Sequence, residues 1–96
     1  MNLSELRALK PQILAIAAQY GVSNIRVFGS VARGDADADS DVDLLVDMEK
    51  GKSLFDFVRC KRAIEETIGA TIDLVEDAAL SNALMKASIW EDAVVL

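Results

Sequence analysis

The spacing of apolar residues changes several times along the chain, and each change marks an element. Ser4 and Arg7 among leucines suggest a first helical turn. Ile13, Leu14, Ile16, Ala17 and Tyr20 then recur at helical spacing, and Gly21 is a stop signal. Pro11 lacks an amide hydrogen and fits the first position of that helix. The pattern predicts one main helix from about Pro11 to Tyr20, kinked from an earlier piece. Ile25, Val27 and Phe28 make a first strand between the turn-like Ser23-Asn24 and Gly29. Ser30 can cap a short helix, Val31 to Arg33, which Gly34 closes in the left-handed conformation. Asp41 to Val46 is a second strand, and Lys50-Gly51-Lys52 a turn. Ser53 and Asp56 form a capping-box-like pair. They open a helix that runs to about Ile68, with Leu54, Phe57, Val58, Ile64 and Ile68 on its buried face. Cys60 falls near that face as a small apolar filler. Gly69 stops the helix. Thr71 to Val75 is a third strand, with Ile72 and Leu74 on one side and Asp73 on the other. Ala78 to Leu96 reads as a last helix and an apolar tail, with Trp90 packed or facing a partner.

Composition narrows the class. The 96 residues, 52% hydrophobic and 27% charged, suit one compact domain over residues 1–96. A net charge of −6 disfavours direct binding to a nucleic-acid backbone and suits a basic partner or bound cations. A single cysteine fits the reducing cytoplasm. No apolar run is long enough for a membrane span, and the first residues do not read as a signal peptide.

The chemistry concentrates between Phe28 and Val46. On a strand, residues two apart share a face, so Asp41 and Asp43 project side by side. Two carboxylates at the head of an apolar strand repel each other and resist burial. Divalent cations would offset that repulsion, and Mg²⁺ uses one or two carboxylates plus substrate phosphates. The alternative is that strand ends lie near solvent and tolerate aspartate. Gly29-Ser30 at a helix start presents free amides suited to an anion, although capping alone would explain the pair. Asp35, Asp37 and Asp39 alternate as in a calcium loop. Such a loop needs Gly at its sixth position and Glu at its twelfth, where this chain has Ser40 and Val46, so a solvated acidic loop is the better reading. Asp73 either pairs with Arg33 or a lysine, or joins Asp41 and Asp43 as a third carboxylate.

Gly29-Ser30, Arg33-Gly34, Ser40-Asp41-x-Asp43-Leu44 and the later strand residue Asp73 together resemble the DNA polymerase beta-like nucleotidyltransferases. The short chain and the run FGSVARG…SDVDLLV look like the minimal nucleotidyltransferases, antitoxins paired with HEPT-domain RNase toxins. The resemblance spans roughly Leu6 to Leu96. It implies an α/β (α+β) nucleotidyltransferase fold, a small mixed sheet of three to four strands with helices packed on it. It also implies an Mg²⁺-dependent enzyme that moves AMP from ATP to a tyrosine hydroxyl of the partner toxin. Asp41, Asp43 and Asp73 would hold two Mg²⁺ ions and serve catalysis. Gly29, Ser30, Arg33 and Ser40 would bind the nucleotide. The one tyrosine of the chain, Tyr20, lies in a predicted helix away from the site, so the acceptor belongs to a separate protein. Two rivals stand beside this reading: a non-catalytic antitoxin that masks its toxin by contact, and a small-molecule, aminoglycoside-type nucleotidyltransferase.

Overall fold

Two helices open the chain. The Asn2 side chain accepts a hydrogen bond from the Glu5 amide, and the Glu5 carboxylate accepts one from the Asn2 amide. This reciprocal cap starts α1, Leu3–Ala8. Leu9 closes it and at once begins α2, Lys10–Gln19, with Pro11 in the first turn. The main helix lies within a residue of its expected bounds, and the earlier piece is a separate short helix. This computed structural model describes residues 1–96.

Strand β1, Val22–Phe28, runs directly into the short helix α3, Gly29–Arg33. Strand β2, Val42–Met48, pairs antiparallel with β1. Ser23-Asn24 does not form a turn before the strand. It lies inside β1 as an irregularity in the pairing, with Asn24 left-handed at φ +52°. Asparagine tolerates that backbone, and its side-chain amide donates to Asp47 at 2.7 Å.

Ser53 and Asp56 cap α4, Leu54–Ile68, and Gly69 ends it in the left-handed region. Helix α4 is the crossover that a parallel connection demands. It delivers β3, Ile72–Glu76, parallel to β2. A 3-10 turn, Asp77–Ala79, leads to α5, Ala83–Asp92. The tail is more than an apolar end: Val94–Val95 form β4, antiparallel to β1, and the Leu96 amide donates to the Ile25 carbonyl. The sheet order is β3-β2-β1-β4.

One face of this sheet carries the main core. Val27, Val42, Leu44, Val46, Ile72 and Leu74 pack there against Leu6, Ile13 and Ala17 of α1 and α2 and against Cys60, Ile64 and Ile68 of α4. Burial pushes the Cys60 thiol up to about 11, as suits an inert filler. Leu54 and Val58 do not join the buried face. Leu54 is 75% exposed, and Val58 also faces solvent. The stripe that meets the core runs through Phe57, Cys60, Ile64 and Ile68. Val58 sits six residues before Ile64, about 120° around the helix from it. No helix is long and apolar enough to cross a membrane.

Leu44→Ala, in the fully buried centre of β2, is expected to lower unfolding free energy by about 2–5 kcal/mol. Leu54→Ala should change it by less than about 0.5 kcal/mol. Urea unfolding of the two variants checks both.

Candidate functional site

Strand register brings the acidic residues together. Asp43 of β2 is the parallel partner of Asp73 on β3 and the antiparallel partner of Phe28 on β1. Adjacent strands lie about 4.8 Å apart, so the two aspartates project as neighbours from one sheet face. Asp41 stands two residues before Asp43, just ahead of β2, and flanks the buried Val42 with it. This face is the one opposite the main core. It also carries Arg26, Phe28 and Leu45, and Trp90 of α5 lies over Arg26 there.

The three carboxylates interact. Asp43 is half-buried, and its pKa is raised above the ordinary 3.8, first by desolvation and then by the charges of Asp73 and Asp41; Arg33 pulls weakly the other way. Gly29 closes over the same side chain. A Cβ at Gly29 would land on the Asp43 Oδ2 oxygen, and Gly29 has φ +69°. Only glycine meets both conditions without strain.

The surrounding residues divide. Ser30 does not cap α3. The helix starts two residues earlier than expected, with Phe28 in the cap position and no side-chain cap bond. Gly34 does close α3 in the left-handed conformation. The Arg33 guanidinium donates to Asp35 at 3.2 Å and to Asp92 of α5 at 2.8 Å, so it is committed to structure beside the carboxylates. Asp73 forms no ion pair with Arg33 or a lysine. Ser40 serves the loop: its hydroxyl donates to the Asp37 carboxylate and accepts from the Asp37 amide, both at 3.1 Å. The Asp39 amide also donates to Asp37, and these bonds hold the Asp37 carboxyl below its usual range. Asp35, Asp37 and Asp39 are exposed, as a solvated acidic loop requires, and the loop is also tied internally through Asp37.

The donor set consists of carboxylate oxygens with no histidine or thiolate, which suits a hard cation such as Mg²⁺. No three such side chains are gathered closely enough to chelate an ion as they stand. Mutual repulsion at Asp43 is the reason to expect a spread arrangement, and it is also what bound cations would relieve. The largest concavity, about 830 Å³, contains none of the carboxylates. It lies at the other end of β2 and β3, between Met48, Lys52, Phe57, Leu74 and Leu80. The acidic group instead occupies an open rim. Sequence reasoning missed the Arg33–Asp92 tie, because nothing local links residues 59 positions apart.

Comparison with known proteins decides the family. The profile of the family described as "Nucleotidyltransferase domain" matches residues 10–96. The chain belongs to this family. Its activity class is accordingly that of a transferase. The protein adenylyltransferase MntA of Thermococcus cleftensis is 41% identical over 73 residues, 76% of this chain and 74% of that protein. A solved structure provisionally described as a minimal nucleotidyltransferase superposes with a TM-score of 0.86 at 41% identity, covering 100% of this chain and 97% of the other. A chain from a crystal structure of a toxin–antitoxin with AMP-PNP superposes at 0.74 over 90% of this chain and 70% of its own, at 17% identity, and shares the fold. The nucleotidyltransferase fold and its four-stranded mixed sheet agree with the resemblance carried by the sequence.

Folding raises the Asp43 pKa, so the fold favours the protonated form. Stability tied to this group is complete below the unfolded value of 3.8 and is lost as pH rises through the folded value. Asp43→Asn removes the ionised form. The variant should melt at a higher temperature than the wild type at neutral pH, with the gap closing below 3.8. Thermal melts across pH measure this. Gly29→Ala should cost about 1–3 kcal/mol in chemical denaturation from backbone strain alone, and should disturb the Asp43 carboxylate it strikes.

Proposed function

We propose that the chain is the antitoxin of a toxin–antitoxin pair, and that it transfers AMP from ATP to a tyrosine hydroxyl of a HEPT-domain RNase, in the cytoplasm and with Mg²⁺. The observation that carries this reading is the register of Asp43 with Asp73 beside Asp41, under the Gly29 backbone. The name of the Thermococcus relative supports protein as the acceptor.

The chemistry follows from charge. The acceptor oxygen attacks the α-phosphorus, a new P–O bond forms, and the bond to the β-phosphate oxygen breaks. Pyrophosphate leaves with the electron pair. Asp41 and Asp43 would hold the Mg²⁺ ions, with Asp73 completing the set nearer the acceptor. Bound Mg²⁺ supplies neutralisation of the phosphoryl oxygens. The Asp73 carboxylate accepts or orients the proton of the attacking hydroxyl. The Gly29 and Ser30 amides at the start of α3 and the Ser30 hydroxyl would hold the β- and γ-phosphates. Arg33 holds the far side of α3 through Asp35 and Asp92. Ser40 keeps the acidic loop in shape through Asp37.

Incubation with α-labelled ATP, Mg²⁺ and the toxin should place label on the toxin and raise its mass by one nucleotide. Asp43→Asn and Asp73→Asn should each slow transfer by about 10²-fold or more, the scale of losing one transition-state electrostatic contact. Undiminished transfer by Asp43→Asn would end the proposal. Toxin neutralisation by that variant without transfer would favour masking by contact.

A further inference from the structure

Helix α5 has no buried residue. Its sequence, ALMKASIWED, is nevertheless largely apolar. A helix this apolar ordinarily hides one face. Here Leu84 is 84% exposed and Met85 56%, and Trp90 is partly exposed. Polar ties hold the helix instead. Asp92 pairs with Arg33, and the Trp90 indole N–H donates to Asp77 at 2.9 Å. Arg26 stacks over the Trp90 ring at 4.6 Å from its centroid. These attachments orient the helix without covering it.

The position of α5 gives its exposed face a meaning. Arg26, two residues before Phe28 on β1, lies on the same sheet face as Asp43 and Asp73. Trp90 rests on Arg26, so α5 occupies the face that bears the carboxylates. Its last turn reaches α3 through Arg33, next to Gly29-Ser30. A protein that presents a hydroxyl at the carboxylates would lie across this side of the molecule.

The charges around it select the visitor. Asp35, Asp37 and Asp39 are exposed in the loop that leads to Asp41, Glu91 and Asp92 end α5, and Arg33 touches both Asp35 and Asp92. Of the cations nearby, Arg33 and Arg26 already have carboxylate partners, and Lys86 is 4.0 Å from Asp77. The surface thus offers an apolar centre within an acidic rim.

We infer that the exposed face of α5, centred on Leu84 and Met85, is the docking surface for the acceptor protein, whose matching patch is apolar at its centre and rimmed by lysine or arginine. This rests on the proposed protein-directed transfer and adds the place where specificity is set. Docking on α5 brings the acceptor alongside the carboxylates.

The test compares two exposed apolar pairs. Leu84→Glu/Met85→Glu changes the second and third residues of α5, where acidic side chains favour the helix start, so the fold is kept. Leu54→Glu/Phe55→Glu changes an equally exposed pair at the start of α4, on the opposite face of the sheet, and serves as control. Binding of the toxin is followed by calorimetry and transfer by label. The α5 pair should raise the KM for the toxin about tenfold or more, the effect of losing one anchoring contact cluster, and leave slow hydrolysis of ATP to AMP unchanged. The control pair should bind as the wild type does. Hydrogen exchange of the unmodified protein should show α5 amides protected in the complex. A complex as tight with the α5 variant as with the wild type, or protection that appears on α4 and not α5, overturns the inference. So does failure of the wild type to bind the toxin at all. Binding through α5 without any label transfer keeps this inference and defeats the proposed reaction, so the two fail separately.

Discussion

The molecule depends on a pairing of like charges. Parallel alignment of β2 with β3 sets Asp43 beside Asp73, and the chain reversal at Gly29 presses backbone against the Asp43 carboxylate. A slip of one residue in that register would turn Asp73 into the core and expose Ile72 and Leu74. Register is held by the core on the other face. Ile72 and Leu74 pack there beside Val42 and Leu44, under the α4 stripe of Cys60, Ile64 and Ile68. The acidic arrangement is imposed by apolar packing a sheet's thickness away.

The arrangement is locally unfavourable. Desolvation and two neighbouring charges raise the Asp43 pKa, so the ionised form that would serve Mg²⁺ is the one the fold resists. A protein selected for stability alone would place a neutral residue there. A left-handed glycine, repelling carboxylates and an exposed apolar helix all fall together around the acidic residues. The opposite face of the sheet buries its residues under α1, α2 and α4. Local departures from the ordinary rules of burial belong where function is located.

Much of the fold was legible wherever a local signal decided it. Gly34 and Gly69 end helices in the left-handed region, and Ser53 with Asp56 caps α4. The alternation Thr71 to Val75 correctly sends Ile72 and Leu74 inward and Asp73 outward. Errors arose where tertiary context overrode local preference. Ser30 looks like a cap, but sheet geometry starts α3 at Gly29. Leu54 and Val58 look buried by hydrophobicity alone, yet α4 meets the core through a narrower stripe. Val94–Val95 become a strand only because β1 offers them an edge. The adjacency of Asp41 and Asp43 follows from the period of a strand. Their nearness to Asp73 was an inference from family resemblance, because no local pattern dictates which strand lies beside β2.

The central claim is that strand register couples Asp43 to Asp73. Carbon-13 NMR of the aspartate carboxyls, titrated in the wild type and in Asp73→Asn, measures it directly. The Asp43 titration should lie above the ordinary carboxylate value in the wild type and move down toward it in the variant. An Asp43 titration unchanged by the loss of Asp73 would contradict the account.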